Sequence, residues 1–445
     1  MAATLVVGLG ITGVAVVRAL AQRSEPVVAV DDAPSDTVRA ACAELDVGLV
    51  VAPEPGRLAD LVRASEAVVP APGLPDRHPL FELARSSAVP VLSEFDLAAR
   101  WDDRPLLAVT GTDGKTTVTT VTCAMLEASG LSAGAVGNTP VPLVAAIDDP
   151  TVDVFVVEAS SFRLDHSQHF APAVGTWLNF APDHLDNHRT LADYEQAKAR
   201  IWRDQSADQV AVGNADDPVV ARHLAAAPGR RVTFGLRPGA DRGYRIADDR
   251  LVTDDDATIC AVGELPRAYP HDLANAMAAA ATALNGGATL TGVRSALLAF
   301  EGLPHRVALV GEAGGVRYVD DSKATTPHAV LAAVGGFDSV VLICGGRNKG
   351  LDLAVLAQAA PKVRAVVAIG EASDEVAAAF AGRREVEVAA SMDEAVKLAA
   401  GLARRGDAVL LSPGAASFDW YGSYGERGDD FARAVRAHIG SGGGP

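Results

Sequence analysis

Short apolar runs punctuate this chain, separated by stretches whose apolar residues recur at helical spacing. Residues 4–7, 27–30, 106–109, 152–157, 340–343, 365–369 and 408–411 are almost continuously apolar, the pattern of strands buried on both faces. Helical stretches fall between them, which predicts parallel strands joined by helical crossovers. The runs group into three α/β blocks, residues 1–95, 96–303 and 304–445. A length of 445 residues agrees with that grouping at roughly 150 residues per domain.

Two of the strands run into glycine-rich turns. The first is followed by Gly8-Leu9-Gly10-Ile11-Thr12-Gly13, and the next strand ends in Asp31-Asp32, the fingerprint of a dinucleotide fold. Taken alone it points to NAD, although any phosphate-bearing nucleotide can use the same geometry. The second turn, Val109-Thr110-Gly111-Thr112-Asp113-Gly114-Lys115-Thr116-Thr117, is a phosphate loop between a buried strand and a helix at 118–126. Gly111 and Gly114 let backbone N–H groups close on a phosphate chain, and the new helix turns its positive dipole end to the same place. Lys115 would reach the β/γ-phosphates and Thr116 would offer a hydroxyl to Mg²⁺. The strict pattern has a glycine where Val109 stands, so this is a shortened form, and an ordinary glycine-rich turn is the competing reading. The expected fold is α/β in three domains. A Rossmann-like N-terminal domain precedes a central P-loop-type ATPase domain with a mainly parallel sheet, and a Rossmann-like C-terminal domain follows.

Composition narrows the partners. The net charge of −17 disfavours nucleic acid, which would be repelled. It still admits a small anion held by local cations. Cys42, Cys123, Cys260 and Cys344 form no CxxC pair, which points to a reducing cytoplasm and no zinc site. No run is long enough to span a bilayer, and no signal peptide is apparent at the N-terminus. The glycine-rich tail 440–445 is expected to fray.

The chemistry-bearing residues sit at predicted strand ends. Glu158 closes a buried apolar run, where a carboxylate needs a metal, a donor or a cap. Asp183-His184-Leu185-Asp186-Asn187-His188 concentrates groups able to hold Mg²⁺ or Mn²⁺. Of its two histidines, His184 is the ligand candidate and His188 reads as a solvated surface residue. Lys198 shares a helix face with Tyr194 at i, i+4 spacing, and composition alone reads it as a snorkelling lysine. Asp320-Asp321-Ser322-Lys323, Gly345-Gly346-Arg347-Asn348-Lys349-Gly350 and Ser412-Pro413-Gly414-Ala415-Ala416-Ser417 each follow a predicted strand, which suggests one polar cleft.

Together these motifs resemble the Mur ligase family, and within it the branch that adds D-glutamate. The carriers are G-L-G-I-T-G at 8–13, G-T-D-G-K-T-T at 111–117, G-N at 137–138 and E-A-S-S-F at 158–162. They continue with D-H-L-D at 183–186, A-K-A-R at 197–200, H-D-L-A-N at 271–275 and L-P-H-R at 303–306. D-D-S-K-A-T at 320–325 and S-P-G-A-A-S-F-D at 412–419 complete the set, and D-S-K-A-T is the run that singles out the D-glutamate branch.

The resemblance implies an ATP-dependent ligase that activates the carboxylate of UDP-N-acetylmuramoyl-L-alanine as an acyl phosphate and joins it to D-glutamate. It implies that Gly111, Thr112, Gly114, Lys115, Thr116 and Thr117, with Asn275, Arg306 and Asp321, hold ATP. Thr116 and Glu158 would bind a first Mg²⁺, and His184 with a carbamylated Lys198 a second. Lys115, Glu158, His184 and Lys198 would be the catalytic set. Ile11, Thr12, Asp31, Asp32 and Gly73 would hold the uridine nucleotide and Asn138 the sugar end, with Ser160 and His184 on the same substrate. Lys323, Thr325, Lys349, Ser417 and Tyr424 would surround the incoming glutamate. A cytoplasmic monomer with small-molecule substrates is implied, with neither nucleic acid nor membrane insertion.

Four positions depart from the family's usual pattern. Asp113 and Asp272 stand where asparagines are common, Arg163 where a glutamine is usual, and Pro182 where an acidic residue is usual. They keep open a second reading, a paralogue with another acceptor or amino acid. An NAD-binding oxidoreductase or nucleotide sensor is a third, and it leaves the phosphate loop and D-S-K-A-T unexplained.

Overall fold

The computed structural model describes residues 2–184, 187–237, 243–440 and 442. Leu185 and Asp186 of the D-H-L-D run, and most of the glycine-rich tail, lie outside the described residues. The chain divides into two compact units. One is Met1–Phe180, Asp186–Leu265 and Ala274–Phe300, and the other is Ala181–Leu185, Pro266–Leu273 and Glu301–Pro445.

The first unit holds two parallel sheets. Strands β1 (Ala3–Val7), β2 (Val27–Asp31), β3 (Gly48–Val51) and β4 (Ser65–Pro70) lie in the order β3-β2-β1-β4. Strands β5 (Leu106–Thr110), β6 (Ala133–Gly137), β7 (Val154–Glu158), β8 (Val174–Trp177), β9 (Val210–Asn214) and β10 (Arg230–Phe234) lie in the order β10-β9-β8-β5-β7-β6. Every pairing in both sheets is parallel. A small antiparallel sheet, β11 (Arg245–Ala247), β12 (Arg250–Val252) and β13 (Thr258–Ala261), follows. One hydrophobic cluster runs from Val6, Val16 and Leu20 through Phe95, Leu143 and Val144 to Phe155 and Trp177, so the two parallel sheets share a core.

The second unit contains a mixed sheet. Strands β14 (Ala308–Ala313), β15 (Val316–Asp320), β16 (Val340–Gly345), β17 (Val363–Ile369), β18 (Glu385–Ala389) and β19 (Ala408–Leu411) take the order β14-β15-β19-β16-β17-β18. Only β14 pairs antiparallel. Separate apolar clusters cover its two faces.

In the two parallel sheets the chain starts near the middle and winds outward both ways, whereas the mixed sheet starts at its edge with β14 and receives its last strand, β19, between β15 and β16. The strand order reverses beside β1, beside β5 and between β16 and β19. Loops leaving neighbouring strands diverge at such points, which opens a crevice at their carboxyl ends. The glycine-rich turns and polar loops singled out by the sequence occupy these three places.

Candidate functional site

The phosphate loop leaves β5 at the second sheet's switch point. Its last residue, Gly114, caps the helix Lys115–Glu127 with φ 85° and ψ −17°, a left-handed conformation that a side chain would strain. Space forbids one as well, because a Cβ there would come 2.7 Å from Asn275 Oδ1. Asn275, distant in sequence, is thereby set against the loop. Lys115 Nζ donates to the carbonyls of Gly111 and Thr112, each at 2.8 Å. Asn179, just beyond β8, clamps the loop: its Oδ1 accepts from Thr112 N at 3.0 Å and Asp113 N at 2.9 Å. Its Nδ2 donates to Asp113 O at 3.2 Å. Sequence reasoning did not assign Asn179 this part, and its place after a short, unpredicted strand is the only signal that marks it.

Glu158 ends β7, opposite Val109 of β5. It is buried, and Oε1 accepts from Asn138 Nδ2 at 2.9 Å. Oε2 is buried with no hydrogen-bond partner among the described residues, as is the Oγ of Ser160 nearby. An anionic oxygen in that state is costly unless a cation or donor meets it. Glu158 therefore fits a hard divalent cation.

Lys198 is 1% exposed, so it does not snorkel. It lies on the helix Leu191–Arg203, one turn beyond Tyr194, with Nζ 4.6 Å from the centre of the Tyr194 ring. Nζ donates to Gly111 O at 2.7 Å. Two lysine ammonium groups thus share one loop carbonyl. Tyr194 OH reaches Thr112 Oγ1 at 3.2 Å.

At the first sheet, the carboxyl ends of β1 and β2 open on a cavity of about 540 Å³ lined by Gly8, Asp31, Asp32, Leu58, Leu74 and His78, among others. That volume suits a small-molecule ligand. Asp31 accepts from the N–H groups of Leu9 at 2.6 Å and Ala33 at 2.9 Å, and so shapes the glycine-rich turn. Gly13 is required for close approach, since a Cβ there would lie 2.0 Å from Gly8 O. Ile11, Thr12 and Gly73 do not line this cavity. Ile11 is solvent-exposed, while Thr12 is buried and accepts from Arg163 Nη2 at 3.0 Å. Arg163 also pairs with Glu94 at 2.5 Å, and both side chains are buried. Burial pushes the Glu94 carboxyl up and the Arg163 guanidinium down, each held partly in check by the other's charge.

The histidine-rich stretch differs from its sequence reading. His188 is buried, not solvated. Its Nε2 meets Ser161 Oγ at 2.9 Å and its Nδ1 meets Asp76 Oδ2 at 3.3 Å, while Phe162 stacks on the ring. Ligand-capable atoms of Asp76, Asp165 and His188 lie within 4.8 Å of one another, with Arg200 3.6 Å from Asp165. Asp76, Ser161 and Phe162 reach His188 from other segments, which is why local composition misreads it. His184 has φ 56° and a partly exposed side chain near Asp183, and it is counted with the second unit, whereas Thr116, Glu158 and Lys198 belong to the first.

In the second unit, the turns after β15, β16 and β19 are bound together. Gly345 N donates to Pro413 O at 2.8 Å, and Arg347 exchanges backbone hydrogen bonds with Ala416. Ser412 Oγ donates to Asp321 Oδ2 at 2.8 Å. Asp321 is buried, and desolvation lifts its carboxyl to about 8 against the opposing pull of Ser412 and Arg306. Lys323 Nζ stands 3.7 Å over the Tyr424 ring, and Lys349 Nζ 5.6 Å from the centre of Phe418. Ser417 is buried, whereas Thr325 is exposed. The three polar loops therefore meet along one sheet edge.

Comparison with known proteins follows the same lines. The Mur ligase middle domain matches residues 109–283, and the Mur ligase glutamate ligase domain matches residues 305–414. A UDP-N-acetylmuramoylalanine–D-glutamate ligase of Frankia casuarinae is 46% identical, covering 98% of this chain and 94% of the relative. One of the same name from Desulfosudis oleivorans is 40% identical, over 97% and 95%. The crystal structure of MurF from Acinetobacter baumannii superposes with a TM-score of 0.61 at 18% identity, over 97% of this chain and 90% of that one, and shares the fold.

Proposed function

The chain belongs to the Mur ligase family, and we propose on that premise that it joins D-glutamate to UDP-N-acetylmuramoyl-L-alanine at the expense of ATP, a step of peptidoglycan precursor synthesis. The convergence of Lys115, Lys198 and the unpartnered Glu158 oxygen at the carboxyl ends of β5 and β7 carries the reading. A carboxylate oxygen of the acceptor attacks the γ-phosphorus and ADP leaves. The amine of glutamate then attacks the acyl carbon, the C–O bond to phosphate breaks, and the ammonium proton is released. Charge accumulates on phosphoryl and carboxylate oxygens in both steps, so positioning and cationic stabilisation do most of the catalysis.

In this reading Gly111 to Thr117 cradle the phosphates, with Lys115 as the cation. Asn275, Arg306 and Asp321 would contact ATP. Thr116 and Glu158 would hold one Mg²⁺ or Mn²⁺, and His184 with Lys198 another. Such an ion would neutralise the phosphoryl oxygens. Addition of CO₂ to Lys198 Nζ, with loss of two protons from the ammonium, would turn a cation into a carboxylate-like ligand. The cavity beside Asp31 and Asp32 would take the uridine nucleotide of the acceptor, with Ile11, Thr12 and Gly73 as further contacts, Asn138 would hold its sugar end, and Ser160 would bind the same substrate. Lys323, Thr325, Lys349, Ser417 and Tyr424 would surround glutamate. The three large sheets support a division into domains 1–95, 96–303 and 304–445. Four free, buried cysteines favour a reducing, cytoplasmic setting, and in this reading the enzyme acts as a monomer on small molecules.

Phosphate release from ATP, measured with UDP-N-acetylmuramoyl-L-alanine and D-glutamate, L-glutamate or no amino acid, tests this. Turnover with D-glutamate alone is expected. ATP binding without turnover on either glutamate would move the assignment to a different acceptor or amino acid.

A further inference from the structure

The helix Tyr424–Gly440 carries a buried cation that none of these roles uses. Arg427 is 1% exposed, and its guanidinium faces neutral oxygens. Nε donates to Ser322 Oγ at 3.0 Å, Nη2 to Ser322 O at 2.8 Å and Nη1 to Ala415 O at 3.1 Å. Among the described residues no carboxylate forms an ion pair with it; Asp419 and Asp320 act on it only at longer range. Burial lowers its pKa to about 10, which leaves it charged at neutral pH. A buried charge without a counter-ion is costly, so its acceptors and its surroundings should say what it is for.

Those acceptors lie on the turns at the switch point of the mixed sheet. Ser322 precedes Lys323 in the turn after β15, and Ala415 precedes Ser417 by two positions in the turn after β19. In the turn after β16, a Cβ on Gly346 would come within 3.1 Å of Arg427 Nη1. Ser322 Oγ in turn donates to Tyr424 O at 2.8 Å. One planar fork therefore hydrogen-bonds the turns that present Lys323 and Ser417 and lies against the turn that presents Lys349, from the helix whose first residue is Tyr424. A lysine, with one flexible ammonium, could not hold this geometry.

We propose that Arg427 is the positioning residue of the amino-acid pocket, fixing its three turns and adding the positive field that favours a dicarboxylate amino acid over its neutral amide. The proposal rests on the ligase reading. A buried cation acts over several ångströms in the low-dielectric interior, so it can bias the pocket without touching the ligand.

Steady-state kinetics on the full chain decide it, beginning with the wild type. If the wild type does not use D-glutamate, the ligase reading itself falls, and with it this one. Given turnover, Arg427→Met should raise KM for D-glutamate by about 10- to 100-fold, the scale of one or two lost charge-assisted interactions. KM for ATP and for the UDP-linked acceptor should change by less than about twofold, and the preference for D-glutamate over D-glutamine should shrink. Arg427→Lys, which keeps charge but loses the fork, should keep the preference with an intermediate KM. Equal rises in all three KM values, or an unchanged D-glutamate KM, would overturn the proposal. Should Arg427→Met not fold, Arg427→Lys and Ser322→Ala decide the matter. Both should raise the D-glutamate KM selectively, and a change in kcat alone would refute the positioning role.

Discussion

Asp321 shows what a single buried carboxyl does to the pH dependence of this fold. Its ordinary value is near 4 in an unfolded chain. In the structure burial lifts it to about 8, because Ser412, Arg306 and the Val307 N–H offset only part of the desolvation. Between those values the native chain keeps a proton that the unfolded chain releases. Stability from this group therefore falls as pH rises through the window and levels off above it. Asp321→Asn cannot ionise, so its melting temperature relative to the wild type should rise from about pH 5 to about pH 9. Thermal unfolding of both across that range checks this, and a constant difference would mean that Asp321 is ionised throughout. Little of this was legible beforehand. Asp321 was recognisable by its run of neighbours, but its burial depends on Ser412, 91 positions away. His188 was misjudged for the same reason: Asp76 and Ser161 reach it from other segments.

At the scale of elements the reading was better. The apolar runs at 106–109, 152–157, 365–369 and 408–411 became β5, β7, β17 and β19 with shifts of at most two residues at either end. A strand buried on both faces writes a continuous apolar run into the chain, and a glycine turn marks its end. β18 escaped notice because Glu385 and Glu387 alternate with valines at an exposed sheet edge. The helix Leu191–Arg203 shows where periodicity stops being informative. Spacing placed Tyr194 and Lys198 on one face, but only packing shows that the face is turned to the phosphate loop. If Lys198 works as a carbamate, Lys198→Ala should lose about 10²- to 10³-fold in turnover, the usual size of a lost transition-state contact. Added formate or acetate should restore part of it. Near-full activity in the alanine variant would remove Lys198 from the site.

At the scale of the whole molecule, the first unit is held as one body by polar as well as apolar contacts. Arg163 follows β7, whereas Glu94 begins the helix Glu94–Trp101 and Thr12 lies in the first turn of the helix Ile11–Gln22 that follows β1. Their buried link ties the two parallel sheets of that unit, beside the apolar cluster that they share. Removing one partner strands the other charge, so Arg163→Met should cost about 3–5 kcal/mol in urea unfolding. Arg163→Met with Glu94→Gln should recover much of that, because no bare ion is left inside. Equal losses in the single and double variants would show that the guanidinium contributes by packing alone.

By itself the sequence determined the class of fold, the three switch-point turns and the family, since these rest on signals a few residues long: apolar period, glycine placement and short polar runs. Tertiary structure alone decided which of those groups meet. Asn179 clamping Asp113, Lys198 on Gly111 and Arg427 across three turns all depend on strand order. Strand order is set by burying the sheet faces as a whole, and so no local stretch of the chain encodes it.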